Sequence, residues 1–262
     1  MTVRNLLKSL ALSISWLLCK LFRIRQQPAI LMYHSFDENG WRYGTSPFEL
    51  KRQIKYLLAN FSIVPLEDIV AFTEGKKEIP AKSVAITVDD GYRDTYEVLF
   101  PIAKEFNIPF TIFLTTDLSK RDFFGNLDRP TEEQLKEMSD CSLISIQLHG
   151  HSHKNFKEVV ANNLIAEEIT KSEIIIKDLT GKTPQFAAYP SGVYDESCID
   201  MLKGRGYRAA LATHSGFVRT GDDLFRLKRI EVGRRIPFYL FVLRLTPALK
   251  VYNGLVGALK FW

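Results

Sequence analysis

Cysteine is scarce in this 262-residue chain. The three present, Cys19, Cys141 and Cys198, are scattered and odd in number, with no CxxC pair. They supply no disulfide framework and leave the redox compartment open. Acid is missing from both ends. Residues 1–36 hold five basic residues (Arg4, Lys8, Lys20, Arg23, Arg25) and no Asp or Glu, and residues 232–262 hold five more (Arg234, Arg235, Arg244, Lys250, Lys260) and again none. Positions 37–231 then carry 25 basic and 30 acidic residues, so a chain of net charge +5 has a mildly acidic body and basic ends. This argues against a nucleic-acid-binding core and points the ends at an anionic partner. Gly/Ser linkers, repeats and low-complexity tracts are absent as well, and the length suits a single α/β barrel of about 250 residues.

A long apolar run is lacking at the N-terminus. "SLALSISWLLC" gives 11 uncharged residues between Lys8 and Lys20, against about 20 for a membrane span. A signal peptide should be followed by a small-residue cleavage site, but "KLFRIR" follows. Cys19 follows Leu17 and Leu18 rather than the small residue expected before a bacterial lipoprotein cysteine. Residues 1–28 therefore read as a basic amphipathic segment lying on a membrane, ahead of a signal anchor or a core-docked helix. The apolar, basic segment 236–262 reads as its companion, with Trp16 and Trp262 suited to the interface. The expectation is a peripheral or monotopic protein whose partner is an anionic membrane surface and whose barrel mouth faces the headgroups. Which face of the membrane is left open.

Apolar runs are present in number: "AILMYHSF", "SVAITVDDG", "FTIFLTT", "LISIQLHG", "QFAAYPSG", "RAALAT" and "RLKRIEV". Helical patterns lie between them, so strand and helix alternate about seven times and predict a parallel α/β fold. In "SPFELKRQIKYLLANF", Ser46 is the N-cap, Pro47 the first helical residue and Glu49 the partner in a capping box. Leu50, Ile54, Leu57, Leu58 and Phe61 are expected on its apolar face. "YRDTYEVLFPIAKEFN" should kink near Pro101, and "NLIAEEITKSEIIIKDLTGKTP" should be one helix closed by Gly181.

Polar residues gather at the strand ends: His34, Asp89, Asp90, Thr115, His149, Ser191 and His214. In a barrel those ends form the active face. "HGHSH" carries His149, His151 and His153. Strand alternation would put all three on one side, and a helical turn would pair His149 with His153. Either way two imidazoles can converge on one ion. A carboxylate from "TVDDG" would make an Asp/His/His set with open positions, a catalytic rather than a structural metal site. Asp89 and Asp90 are adjacent carboxylates that raise one another's cost of ionising. If Gly91 turns the chain, both can face the mouth, one holding a cation and the other free to act as a base. A bland alternative is that they cap the helix after Tyr92.

"TVDDG", followed about 60 residues later by "HGHSH", resembles the polysaccharide deacetylase family, with its NodB-homology domain. The resemblance runs from Ala29 to about Val232 and implies a distorted (β/α) barrel of about seven parallel strands in one domain, 29–235. It implies Asp89 as catalytic base, Asp90, His149 and His153 as metal ligands, and no ligand role for His151. The family's Ser or Thr after the first histidine is replaced by Gly150. Its R-P-P-Y-G motif corresponds to "AYPSG", with Ser191 supplying an oxyanion N–H and Ala188 in place of the arginine. Arg229 is the expected replacement. The family's late L-x-x-H histidine is missing, but "LMYHSF" resembles the opening of biofilm-type poly-N-acetylglucosamine deacetylases. That makes His34 the expected general acid, with His214 in reserve. The cofactor implied is a divalent metal, Zn²⁺ by default, with Co²⁺, Ni²⁺ or Fe²⁺ as alternatives. The function implied is N-deacetylation of an acetamido sugar in an envelope polysaccharide or a lipid-linked glycan. An O-acetyl esterase and a non-catalytic glycan-binding barrel are the alternatives. Tyr33, Trp41, Tyr189 and Phe217 are candidates for sugar stacking or for packing.

Overall fold

Among the described residues, eight strands pair in parallel throughout: β1 (Ala29–Tyr33), β2 (Ser62–Ile63), β3 (Ser83–Asp90), β4 (Phe110–Leu114), β5 (Ile144–Leu148), β6 (Phe186–Ala188), β7 (Ala209–Leu211) and β8 (Ile230–Glu231). Their order is β7-β6-β5-β4-β3-β1-β8, with β2 on β3. The structure is a computed structural model that describes residues 11–17, 19, 24–38, 41–119, 127–162 and 164–259. The seven apolar runs all form strands. The addition is the two-residue β2, which pairs at Ser83 and Val84 along the edge that β4 takes over from Thr87. The segment after β7 brings the two ends of the sheet together. Leu227 bridges Leu211 of β7, and Ile230 and Glu231 pair with Leu31 and Met32 of β1. The result is a distorted barrel.

The two-residue period of a strand sorts side chains to opposite faces. Ala29, Leu31, Tyr33, Val84, Ile86 and Val88 join the large cluster under the helices. Ile30 and Ala85 point the other way, to an inner cluster with Phe113, Phe186, Ala188, Leu211 and Leu227. Burial on both faces explains why the strands read as continuous apolar runs.

The helices are α1 (Pro47–Asn60), α2 (Leu66–Thr73), α3 (Phe100–Phe106), α4 (Glu132–Asp140), α5 (Phe156–Ala161), α6 (Ile165–Thr180), α7 (Glu196–Gly204), α8 (Phe238–Arg244) and α9 (Ala248–Leu259). Ser46 caps α1 by accepting from Glu49 N at 3.3 Å. The reciprocal half of the capping box is not made: the Glu49 carboxylate meets Arg52 at 3.3 Å. Leu50, Ile54 and Leu57 are buried as expected, but Leu58 is 43% exposed, one 100° step beyond Leu57 and off the apolar face. The kink near Pro101 is a π-helical turn over Thr95–Leu99. Proline has no N–H to give, and the ladder widens there to an i→i−5 bond from Phe100 N to Thr95 O. Gly181 closes α6 with φ 70°. Residues 11–17 are helical, and Leu12 packs with Leu240 and Ala248 of α8 and α9. Residues 1–10 and 260–262, with the basic residues Arg4, Lys8 and Lys260 and with Trp262, lie outside the described residues, as do Lys20 and Arg23.

Candidate active site

Ala85, Thr87 and Asp89 alternate along the inner face of β3, so Asp89 is delivered to the barrel interior at the strand's C-terminal end. Arg229, on the closing segment before β8, is fully buried beside it. Its Nη1 and Nη2 reach Asp89 Oδ1 and Oδ2 at 2.6 and 2.7 Å, a bidentate pair. Nε donates to Ala212 O at 3.0 Å and Nη1 lies 3.3 Å from Thr87 Oγ1. Burial opposes ionisation of Asp89, but the Arg229 guanidinium outweighs it and holds the carboxyl below its ordinary value. Each Asp89 oxygen keeps a lone pair beyond the one Arg229 takes.

Asp90 departs from the alternation. Its φ is 70° and that of Gly91 is 67°, a left-handed pair that swings the Asp90 carboxylate toward the β5 loop instead of the helices. A Cβ on Gly91 would lie 2.8 Å from Leu114 Cδ1, so the turn needs glycine there. Asp90 Oδ1 stands 3.1 Å from His153 Nε2 and 3.6 Å from His149 Nε2. Thr115 Oγ1 is 3.5 Å away, and Arg129 Nη1 donates to the Asp90 carbonyl at 2.8 Å. Burial opposes the Asp90 charge, but the hydrogen bond and charge of His153 hold its carboxyl well below the usual range. His153 in turn is raised by Asp90 against the effect of its own burial. His149 is pushed down to about 4 by burial, so it is neutral at neutral pH.

The donor set fits a divalent cation. One ligand atom from each of Asp90, His149 and His153 lies within 4.8 Å of the others. His149 Nδ1 is 2.9 Å from Ala188 O, a carbonyl that can only accept. The proton is therefore on Nδ1 and the Nε2 lone pair faces Asp90, as a metal ligand requires. Ala188, where the arginine was missed in the sequence, thus serves the site through its backbone. His151 is turned away, with Nδ1 3.1 Å from Thr116 Oγ1.

His34 follows β1 and stacks on Tyr43 at 4.9 Å, with Trp41 edge-on at 5.8 Å. It lies near enough for a charge on it to stabilise the anions of both Asp89 and Asp90. Its buried Nδ1 has no hydrogen-bond partner among the described residues. Ser191 is exposed in the turn Pro190–Gly192 with φ 57°. His214 is also exposed, and its contribution near the site is a backbone carbonyl that accepts from Arg229 N at 3.0 Å. Of the four aromatic candidates, Tyr33, Tyr189 and Phe217 are buried, with the Tyr33 and Tyr189 hydroxyls bonded to Gln53 and Phe225 O. Trp41 alone of the four stays partly open beside His34.

Sequence reasoning missed Glu168, Arg129 and Asp94. Glu168 of α6 accepts from the backbone of the histidine loop. It falls on the helix's buried stripe with Ile165, Ile169, Ser172 and Ile176, and a carboxylate on an apolar stripe was the available signal. Asp94 Oδ2 accepts from Ser35 Oγ at 2.6 Å and Phe36 N at 2.8 Å, tying down the residues after His34.

The family profile described as Polysaccharide deacetylase matches residues 76–210, which contain Asp89, Asp90, both histidine ligands and the Ala188–Gly192 turn. The chain belongs to the polysaccharide deacetylase family. His34 and Arg229 lie outside the matched residues. The Bacillus subtilis (strain 168) protein YxkH is 30% identical over 207 residues, 78% of this chain and 71% of that one. The poly-beta-1,6-N-acetyl-D-glucosamine N-deacetylase of Staphylococcus epidermidis is 28% identical over 199 residues, 73% of this chain and 68% of that one. Among solved structures, IcaB from Ammonifex degensii superposes with a TM-score of 0.75 at 23% identity, covering 84% of this chain and 98% of that one, a likeness of fold. As a polysaccharide deacetylase, the chain is a hydrolase of amide bonds with an Asp/His/His group suited to a divalent metal.

Proposed function

We propose that this deacetylase removes N-acetyl groups from glucosamine units of a poly-N-acetylglucosamine-type polysaccharide. The observation that carries the reading is the juxtaposition of a clamped, ionised Asp89 with the Asp90–His149–His153 group at one strand end. The activity named for the Staphylococcus epidermidis relative supports the sugar class. A divalent ion held by the three ligands, Zn²⁺ by default, would polarise the acetyl oxygen and acidify a water. Asp89 accepts that water's proton as it attacks the acetamide carbon, with Arg229 fixing the plane of the carboxylate. The Ser191 N–H shares the negative charge that develops on oxygen. The C–N bond breaks as His34 gives its proton to the sugar nitrogen, releasing acetate and a free amine. His34 is the better acid candidate because His214 is exposed and makes its contact through the backbone. Trp41 is the candidate sugar platform beside it.

The test is hydrolysis of an N-acetylated β-1,6-linked glucosamine oligomer by the zinc-loaded protein, with acetate and primary amine both counted. Equal yields support the reading. Acetate release confined to O-acetylated sugars would make it an esterase, and full metal content with no acetate would make it a binding barrel.

We also propose that the protein sits on an anionic membrane surface. The N-terminal helical residues expose Ile14, Trp16 and Leu17 at 52, 38 and 64%. No helix among the described residues is long and apolar enough to cross a membrane. Arg25, Arg219 and Lys250 line one cavity of about 250 Å³ that has no acidic residue in its wall. Arg25 and Gln27 precede β1, so this cavity lies where the strands begin, whereas Asp90 lies where β3 ends. That placement favours the reverse of the sequence-based orientation: the basic end meets the headgroups and the mouth opens to a polymer in the aqueous phase. Flotation of the full chain, but not of residues 27–236, with anionic liposomes supports this. Equal flotation of the two argues against it.

A further inference from the structure

We infer that Glu168 is the positioning residue that holds the two histidine ligands at their spacing. The inference deepens the metal-dependent reading and rests on it for function. The loop from His149 to His153 contains two left-handed residues, Gly150 at φ 79° and His153 at φ 59°, so its shape is not one the backbone adopts unaided. Glu168 Oε1 accepts from His151 N at 2.8 Å, Ser152 N at 2.5 Å and Ser152 Oγ at 3.0 Å, and Oε2 lies 3.1 Å from the same hydroxyl. The residues gripped are those between the ligands. Two successive backbone N–H groups closing on one anion form a nest. Glu168 is only 9% exposed, and among the described residues no basic side chain forms an ion pair with it. A buried carboxylate without a cation is costly unless its hydrogen bonds are made, and here the loop makes them.

Gly150 shows why the grip comes from α6. A Cβ at position 150 would lie 3.2 Å from Glu168 Oε1 and 3.1 Å from Phe156 Cε1. A hydroxyl-bearing side chain at 150 and the carboxylate of Glu168 therefore compete for one volume. Thr116 N and Ser172 Oγ hold the Gly150 carbonyl at 3.2 and 3.3 Å, and Asp117 N holds that of His151 at 2.9 Å. Two carbonyls of this loop are thus tied to neighbouring elements and two of its N–H groups to Glu168.

The experiment uses Co²⁺ as probe in the full chain. Glu168→Ala should weaken Co²⁺ binding about 10–100-fold, the usual cost of losing a residue that orients ligands, and should change the cobalt absorption bands. In the metal-free protein the amides of His151 and Ser152 should exchange at least about tenfold faster, while amides of β1 and β3 keep their protection. Glu168→Gln keeps an acceptor oxygen and should recover part of both losses. Gly150→Ser should weaken Co²⁺ binding in the parent chain but less so in Glu168→Ala, because the volume is then free. If Glu168→Ala folds poorly, Glu168→Gln and Ser152→Ala supply the same readouts. Parental Co²⁺ affinity and amide exchange in these variants would overturn the inference. A parent that binds no Co²⁺ but whose His151 and Ser152 amides still depend on Glu168 would overturn the metal reading and leave the clamp standing.

Discussion

The two sides of the mouth are built differently. On the β3–β5 side, Asp89 is forked by Arg229, Asp90 is held between two histidines, and the loop carrying them is bonded through its carbonyls and its N–H groups. On the β1 side, His34 is held by ring contacts, and its Nδ1 has no hydrogen-bond partner among the described residues. The first side is preorganised for charge that develops in one place. In the proposed reaction the second would meet a leaving group attached to a sugar, and a ring held by stacking can adjust to it.

The largest effect should come from the rigid side. Asp90→Ala and His149→Ala should each lose the metal and about 10³-fold or more in acetate release, since the ion supplies several kcal/mol of stabilisation. His151→Ala should keep both. Metal analysis of the three purified variants decides, and a metal-free His151→Ala beside a loaded His149→Ala would reverse the ligand assignment.

Arg229→Met should retain the ligand set yet leave the Asp89 charge buried and alone, at a cost of about 3–5 kcal/mol in urea unfolding at neutral pH. An unfolding midpoint equal to the parent's would show that Asp89 does not depend on the pair.

His34→Gln should reverse that pattern. Turnover falls about 10²–10⁴-fold with loss of the alkaline limb of the pH–rate profile, while unfolding is nearly unchanged. Normal rates on an unactivated acetamide would remove His34 from the acid role.

The smallest effect is one of pH. Asp94 is pushed up from 3.8 to about 6, chiefly by burial, with Ser35 and Phe36 N opposing and Asp37 and Glu97 adding to the rise. A carboxyl raised on folding contributes stability that is full below its unfolded value and is lost as pH climbs through 6. Between pH 4 and 7.5 the parent should therefore lose up to about 3 kcal/mol relative to Asp94→Asn. A constant difference across that range would place Asp94 outside this account.

Much of this was legible in the sequence because strand ends are. The apolar runs marked the strands, and of the polar residues expected at their ends the fold assembles His34, Asp89, Asp90, Thr115 and His149, while Ser191 and His214 are exposed. Arg229 was found by asking what replaces a missing arginine, and it is the residue that forks Asp89. What could not be read depended on side chains from other elements. Glu167 and Glu168 are adjacent acids in a charged helix; the apolar stripe marks Glu168 as the inward one, but only packing shows that it closes on the histidine loop. The 43% exposure of Leu58 shows the same limit, since periodicity places a face only to within one helical step.

On the proposed mechanism, the position of Arg229 ties catalysis to the order in which the chain is made. Asp89 and Arg229 are separated by 140 residues, and the arginine rides on the segment that joins β7 to β1. During synthesis from the N-terminus, Asp89, Asp90 and both histidine ligands exist well before the guanidinium does. A nascent chain thus holds its ligand residues before the proposed base gains the partner that orients it. On the proposed mechanism, hydrolytic competence would arrive with β8, because the closed sheet and not the ligand set alone brings Arg229 to Asp89.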